Sequence, residues 1–288
     1  MNKLNIPTRE MYMGNFHRSH QKRYEKKQKY SFYTKFTYPQ KRNIIFIVIN
    51  TKNKDFITLS NSNLQNNVYF EKCVFSECFK CSNVYMLSII QNIPNINTYP
   101  LTYVFENIKM QHKPNTLWLE FGVASGNTIN YISQFTNDKG YGFDSFEGLP
   151  EKWRDGFDKG AFNRDGNLPQ VNNNVELIKG WFDETLPNFI KTHNKKVSFI
   201  HIDADLYSST KCILNNLKDY IDVDCVVIFD ELVNYPGFDG ETGELKAFYE
   251  FITETNVNYE WIGMNGTPTG MHGYYHENVA LIIHSIHP

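Results

Sequence analysis

The sequence predicts an α/β fold, a three-layer sandwich around a mainly parallel seven-stranded sheet whose last strand runs antiparallel. Two observations carry this. From Thr116 onward, short apolar runs alternate with amphipathic stretches, which is the sequence form of repeated β-α units. The first of those runs breaks at Gly122 into a glycine turn that opens a helix, the strand-turn-helix junction of a Rossmann-like sheet.

Taken in order, the apolar runs place strands near 116–121, 140–144, 175–179, 197–203, 225–230, 259–263 and 278–284. Helical spacing places helices near 126–135, 183–193, 208–220 and 243–255. Ahead of them, 43–50 is a β-branched strand candidate and 78–91 suits one or two helices. Residues 1–42 are polar, basic and aromatic without a sustained period, with Lys22, Arg23, Lys26, Lys27 and Lys29 close together. Three parts follow: a flexible basic arm over 1–42, an N-terminal cover over 43–115, and the main domain over 116–288.

Composition narrows the class. With 288 residues, 41% hydrophobic and 21% charged, the chain is long enough for one large core. The net charge of −2 conceals a basic first fifty residues and an acidic remainder. Interleaved Tyr and Lys in the arm leave nucleic-acid contact open, although such a run more often makes a solvated tail. The longest apolar run, 44–49, is far short of a membrane span, so no membrane association is expected. Cys73, Cys78, Cys81, Cys212 and Cys225 form no regular framework, which fits reduced thiols and a cytoplasmic location. Cys78 and Cys81 make a C-x-x-C with no second pair at zinc-site spacing. Composition leaves a homo-oligomer open.

The turn from Glu120 to Thr128 is the candidate cofactor loop. Glycine suits positions of positive φ or close backbone approach, and the helix starting at Asn127 or Thr128 offers unpaired N–H groups. Asp144 ends the next strand about twenty residues on, where a carboxylate accepts ribose hydroxyls. The glycines are spaced G-x-x-x-G, without the G-x-G-x-x-G of dinucleotide binders or a phosphate-cradling loop, which favours a nucleoside lacking a diphosphate.

Farther on, Asp203 and Asp205 end the fourth strand of the domain, and Asp230 and Glu231 end the fifth. A parallel sheet brings these four carboxylates to the edge where such sheets bind ligands. Converging acids call for a cation, and all-oxygen ligands suit Mg²⁺. Asp205 has an alternative as N-cap of the following helix, and Glu231 as a partner of Lys246 or a helix cap.

Five ordered blocks make the sequence recognisable: Trp118-Leu-Glu-Phe-Gly-Val-Ala-Ser-Gly126, Tyr141-Gly-Phe-Asp-Ser-Phe-Glu-Gly-Leu-Pro150, Lys179-Gly-Trp-Phe-Asp-Glu-Thr-Leu-Pro187, Phe199-Ile-His-Ile-Asp-Ala-Asp-Leu-Tyr-Ser-Ser-Thr210 and Val227-Ile-Phe-Asp-Glu-Leu-Val-Asn-Tyr-Pro-Gly237. Together they resemble the class I S-adenosylmethionine-dependent methyltransferases related to macrocin O-methyltransferase. The resemblance implies that Glu120, Gly122, Ser125 and Gly126 hold the methionine end of S-adenosyl-L-methionine, with Asn127 and Thr128 beside them. It implies that Asp144 and Ser145 meet the ribose and Gly180-Trp181 the adenine, core packing being the alternative for Trp181 and Phe146. It implies a metal on Asp203 or Asp205 together with Asp230 and Glu231. This chain has Asp-Glu there where the relatives have Asp-Asp.

The resulting expectation is O-methylation of a sugar or other small-molecule acceptor, with Mg²⁺ assistance. The alternatives are a metal-independent methyltransferase, a non-catalytic nucleoside- or RNA-binding module, and a nicotinamide oxidoreductase, the last disfavoured by the glycine spacing. Catalysis is assigned to Asp203 and to His201, two residues earlier on the same strand face, with His272 and His276 as other bases. The segment 154–169 is expected to be a mobile cover in which Lys159 and Arg164 meet an acidic substrate, and 264–278 is the acceptor-loop candidate.

Overall fold

The computed structural model describes residues 30–35, 45–50, 55–59, 89–90, 92–238, 242–266 and 276–286. Several expectations lie outside these residues: the Lys22–Lys29 cluster, Cys73, Cys78, Cys81, His272, and most of the helix placed at 78–91. The chain divides into two units, Met1–Cys81 and Ser82–Pro288.

In the first unit, β1 (Tyr30–Lys35), β2 (Ile45–Asn50) and β3 (Asp55–Leu59) form an antiparallel sheet in that order. Tyr30 pairs with Asn50 and Phe46 with Leu59. β1 corrects the reading of 1–42 as an arm without strand structure. Its run Tyr-Ser-Phe-Tyr-Thr-Lys is rich in aromatic and β-branched residues, and such a run forms a strand once a partner such as β2 supplies the ladder.

The second unit carries the predicted sheet. Its strands are β4 (Leu117–Phe121), β5 (Gly140–Asp144), β6 (Val175–Lys179), β7 (Val197–Ile202), β8 (Ile221–Phe229), β9 (Val257–Met264) and β10 (Val279–Ile286). They lie in the order β6-β5-β4-β7-β8-β10-β9. The pairs from β6 to β8 are parallel, and β10 runs antiparallel to both of its neighbours. The helices are α1 (Pro100–Thr102), continued by a π turn over Tyr103–Asn107, then α2 (Asn127–Ile132), α3 (Phe182–His193), α4 (Tyr207–Leu217) and α5 (Gly243–Thr255).

Every residue of β4 and β7 is buried, as expected of central parallel strands covered on both faces. Strand alternation splits them between two cores. Leu117, Leu119 and Phe121 pack with Leu186 of α3, Leu214 of α4 and Phe248 of α5. Trp118 and Phe199 point to the other face and meet Leu101, Val104 and Phe105. Glu120 and His201 are register partners on adjacent strands, so the same alternation buries a charged pair between the apolar layers. Among the described residues no helix is long and apolar enough to cross a membrane.

Candidate active site

The sheet order reverses between β4 and β7, and the candidate site lies at the carboxyl ends of these strands. The parallel ladder runs one residue past each strand end. The N–H of Gly122 donates to the Phe143 carbonyl at 2.9 Å, that of Gly180 to Asp144 at 3.0 Å, that of Asp203 to Phe121 at 2.8 Å and that of Asp230 to Ile202 at 2.8 Å. Each residue that leaves the sheet is thereby fixed in height. The carboxylates of Asp203, Asp230 and Asp144 arrive at one edge because their peptides are the next rungs.

Gly122 has φ +91°, and a Cβ there would sit on the carbonyl oxygen of Asp203. Its requirement for glycine comes from this backbone crossing as well as from φ. Gly126, at φ +83°, is the N-cap of α2 and faces Pro169 and Val171. Asp144 organises the turn between them. Its Oδ2 accepts the N–H groups of Val123 at 2.9 Å and Ala124 at 2.8 Å, and its Oδ1 accepts that of Phe146 at 2.7 Å.

A cavity of about 660 Å³ opens over these ends, within the size range of small-molecule sites. Of the predicted residues, Gly122, Asp144, Ser145, Trp181, Asp203, Asp205 and Glu231 line it. Glu120, Ser125, Gly126, Asn127, Thr128, His201 and Asp230 are outside its wall. Trp181 and Phe146 separate: Trp181 faces the cavity, whereas Phe146 is buried against Val123 and Ile129. The cover segment is held by backbone hydrogen bonds, with Phe146 accepting from Arg164 and Gly166, and Leu149 and Ala161 joined at 2.9 Å. Neither Lys159 nor Arg164 lines the cavity, while Trp153, Arg154, Phe157 and Phe162 do.

Of the four acids, three cluster. Asp203, Asp230 and Glu231 present carboxylate oxygens within 4.8 Å of one another, a set that could hold a metal ion. Asp205 is outside that set. It is buried at φ +59°, and it does not cap α4, whose N-cap is Leu206 with no side-chain cap. Lys246 does not pair with Glu231; its Nζ lies 4.5 Å over the Tyr207 ring. Glu231 Oε2 is buried with no hydrogen-bond partner.

Burial pushes Asp203 and Glu231 well above the usual carboxylate range, with the neighbouring acids adding to the effect. Burial and Asp230 raise Asp205 to about 7. Asp230 is the exception: burial works against its charge, but His201 and the Tyr99 hydroxyl, 2.9 Å from Oδ1, hold it low. Asn278 donates to the same oxygen at 2.5 Å.

His201 is fully buried, with Nδ1 3.0 Å from Glu120 Oε1 and Nε2 3.8 Å from Asp230 Oδ1. Burial disfavours its charge, yet Asp230 and Glu120 prevail and lift it to about 10. The two flanking carboxylates favour the protonated imidazole, which works against the expected role of His201 as a base. It is the counter-charge between two carboxylates. Glu120→Ala leaves that cation buried with one partner fewer, and urea denaturation is expected to show a loss of about 3 kcal/mol; a loss below about 1 kcal/mol would refute the buried pair.

Sequence reasoning missed Glu244. This fully buried residue in the first turn of α5 receives the N–H groups of Ala204 at 3.5 Å and Glu231 at 3.3 Å, one on each oxygen, and the Thr210 hydroxyl at 3.3 Å. It ties the turns after β7 and β8 together. Burial, with Asp205 and Asp230, pushes it up to about 8. Tyr99 and Asn278 were also missed, because nothing local marks a residue that meets Asp230 across 131 or 48 positions of chain.

With this geometry in view, similarity becomes informative. Residues 119–232 match the family model described as a methyltransferase domain. Over that stretch the chain is similar to a methyltransferase domain. It is 28% identical over 130 residues to demethyldecarbamoylnovobiocin O-methyltransferase from Streptomyces niveus, a stretch covering 38% of this chain and 48% of that enzyme. It is 27% identical over 158 residues to an 8-demethyl-8-(2,3-dimethoxy-α-L-rhamnosyl)-tetracenomycin-C 4'-O-methyltransferase from Streptomyces olivaceus, covering 46% of this chain and 58% of that enzyme. The chain thus spans only about half the length of these relatives. Among solved structures, the O-methyltransferase NovP is similar at 19% identity and a TM-score of 0.43, over 69% of this chain and 98% of that one.

Proposed function

We propose that this methyltransferase domain moves the methyl group of S-adenosyl-L-methionine to a hydroxyl of a small-molecule acceptor, a sugar foremost, with a divalent ion assisting. One observation carries the proposal. A single cavity is lined by Gly122, Asp144, Ser145 and Trp181 together with Asp203, Asp205 and Glu231. The first group suits a nucleoside: an indole at Trp181, and at Asp144 a carboxylate whose loop N–H bonds leave further lone pairs. The second suits hydroxyls, and the aromatic wall of Trp153, Phe157 and Phe162 gives a ring an apolar face to rest on. Both Streptomyces relatives are named as O-methyltransferases, and the name of one includes a rhamnosyl group.

Asp203, Asp230 and Glu231 would hold the ion, since three clustered oxygens and the unpartnered Glu231 Oε2 fit a hard divalent cation. Bound there, Mg²⁺ supplies positive charge that eases ionisation of an acceptor hydroxyl. Asp205 lines the same cavity without belonging to that set, and its carboxylate is the group to take the hydroxyl proton. The acceptor oxygen then forms a bond to the methyl carbon as the carbon–sulfur bond breaks, leaving S-adenosylhomocysteine. Free Cys212 and Cys225 suit a reducing cytoplasm.

The test is calorimetric titration with S-adenosylhomocysteine and, separately, NAD. One site for S-adenosylhomocysteine and none for NAD is expected; the reverse order would identify a nicotinamide enzyme. Binding of S-adenosylhomocysteine with methyl transfer indifferent to EDTA would leave a metal-independent methyltransferase.

A further inference from the structure

Arg154 is the only cation among the described residues lining the cavity, facing a wall that contains Asp144, Asp183, Glu184, Asp203, Asp205 and Glu231. Its backbone is fixed by a tight turn. The N–H of Trp153 donates to the Phe157 carbonyl at 3.0 Å and that of Phe157 to the Arg154 carbonyl at 2.9 Å, and Gly156 between them takes the positive φ such a turn demands. Ser208 of α4 anchors the same segment through Glu151 at 2.6 Å.

The side chain is fixed as well. The guanidinium carbon lies 4.1 Å from the centre of the Trp153 ring and 4.5 Å from that of Phe157. Aromatic contact occupies the planar faces of a guanidinium and leaves the N–H donors free at its edge. Those donors are not used up by the described residues. No carboxylate among the described residues lies within ion-pair distance, and Nε is buried with no hydrogen-bond partner. Asp205 and Glu277 feel its charge without pairing with it.

A half-buried, oriented fork of donors without a protein partner among the described residues is the arrangement that recognises a planar or tetrahedral oxyanion. We infer that Arg154 is a specificity-determining residue and that the acceptor carries an anionic group, a carboxylate or a phosphate, beside the hydroxyl that is methylated. This rests on the methyltransferase reading above and adds the acceptor's charge to it. An acidic wall repels a free anion, so only an acceptor whose anion reaches Arg154 is admitted; neutral sugars forgo that bond.

The test uses protein saturated with S-adenosylhomocysteine and Mg²⁺, titrated with glucose 1-phosphate, glucuronate and methyl glucoside. At least one anionic probe is expected to bind about tenfold or more tighter than methyl glucoside. The arm that does so distinguishes phosphate from carboxylate. Arg154→Met is expected to abolish the preference while S-adenosylhomocysteine affinity stays within about twofold, and Arg154→Lys, which keeps charge without the fork, to retain part of it. Equal binding of charged and neutral probes by the wild type, or a preference that survives in Arg154→Met, would overturn the inference. Failure of the wild type to bind S-adenosylhomocysteine would instead overturn the methyltransferase reading on which it rests.

Discussion

Gly122→Ala is expected to eliminate S-adenosylhomocysteine binding and to lower unfolding free energy by about 2–5 kcal/mol. Two costs add. A non-glycine residue at φ +91° carries about 1–2 kcal/mol of left-handed strain. The new methyl group also lands on the Asp203 carbonyl, and forcing atoms into a packed site costs about 1–3 kcal/mol. The obstacle is backbone, so no rotamer change relieves it. Either the turn after β4 or the end of β7 shifts, and both bear site residues. Urea denaturation with a parallel titration checks this; an alanine variant that binds normally would show that the crossing of β4 and β7 does not shape the cavity.

Glu231→Gln is expected to separate stability from function. The substitution preserves size, and the backbone N–H that bonds Glu244 is untouched. Burial, Asp230, Asp203 and Asp205 all disfavour a charge at Glu231, so a neutral isostere relieves repulsion and thermal stability should rise. The same change removes one of three clustered oxygens. Mn²⁺ affinity, read by electron paramagnetic resonance, should fall more than about 100-fold, since loss of outer-sphere partners alone costs 10–100-fold. S-adenosylhomocysteine affinity should change by less than about threefold. A variant that is destabilised and still binds Mn²⁺ would mean that Glu231 is a structural carboxylate.

How much of this was legible depends on how local the determinant is. Strands β5 and β6 and helix α5 fall on their predicted bounds because each is an uninterrupted run bracketed by turn residues. Asp144, Asp203 and Glu231 were found because they sit where such runs stop, and a parallel sheet sends all those stops to one edge. Side-chain partners were not legible. His201 looked like a base from its place two residues before Asp203, yet Asp230 and Glu120 favour its charge, and only the β4–β7 register brings Glu120 to 3.0 Å. Asp205 resembled both metal ligand and helix cap, but it lies outside the cluster of three carboxylates and does not cap α4. In the cover, Lys159 and Arg164 drew attention by charge alone, whereas Arg154 is the one its turn delivers to the cavity.

The central claim is that a methyl donor and a divalent ion meet in one cavity over the ends of β4, β5, β7 and β8. A crystal structure with S-adenosylhomocysteine and Mg²⁺ tests it most directly. The account expects the ribose hydroxyls on Asp144, the adenine beside Trp181, and an ion held by Asp203, Asp230 and Glu231. A nucleoside bound elsewhere, or three carboxylates closed on one another with only water between them, would contradict it.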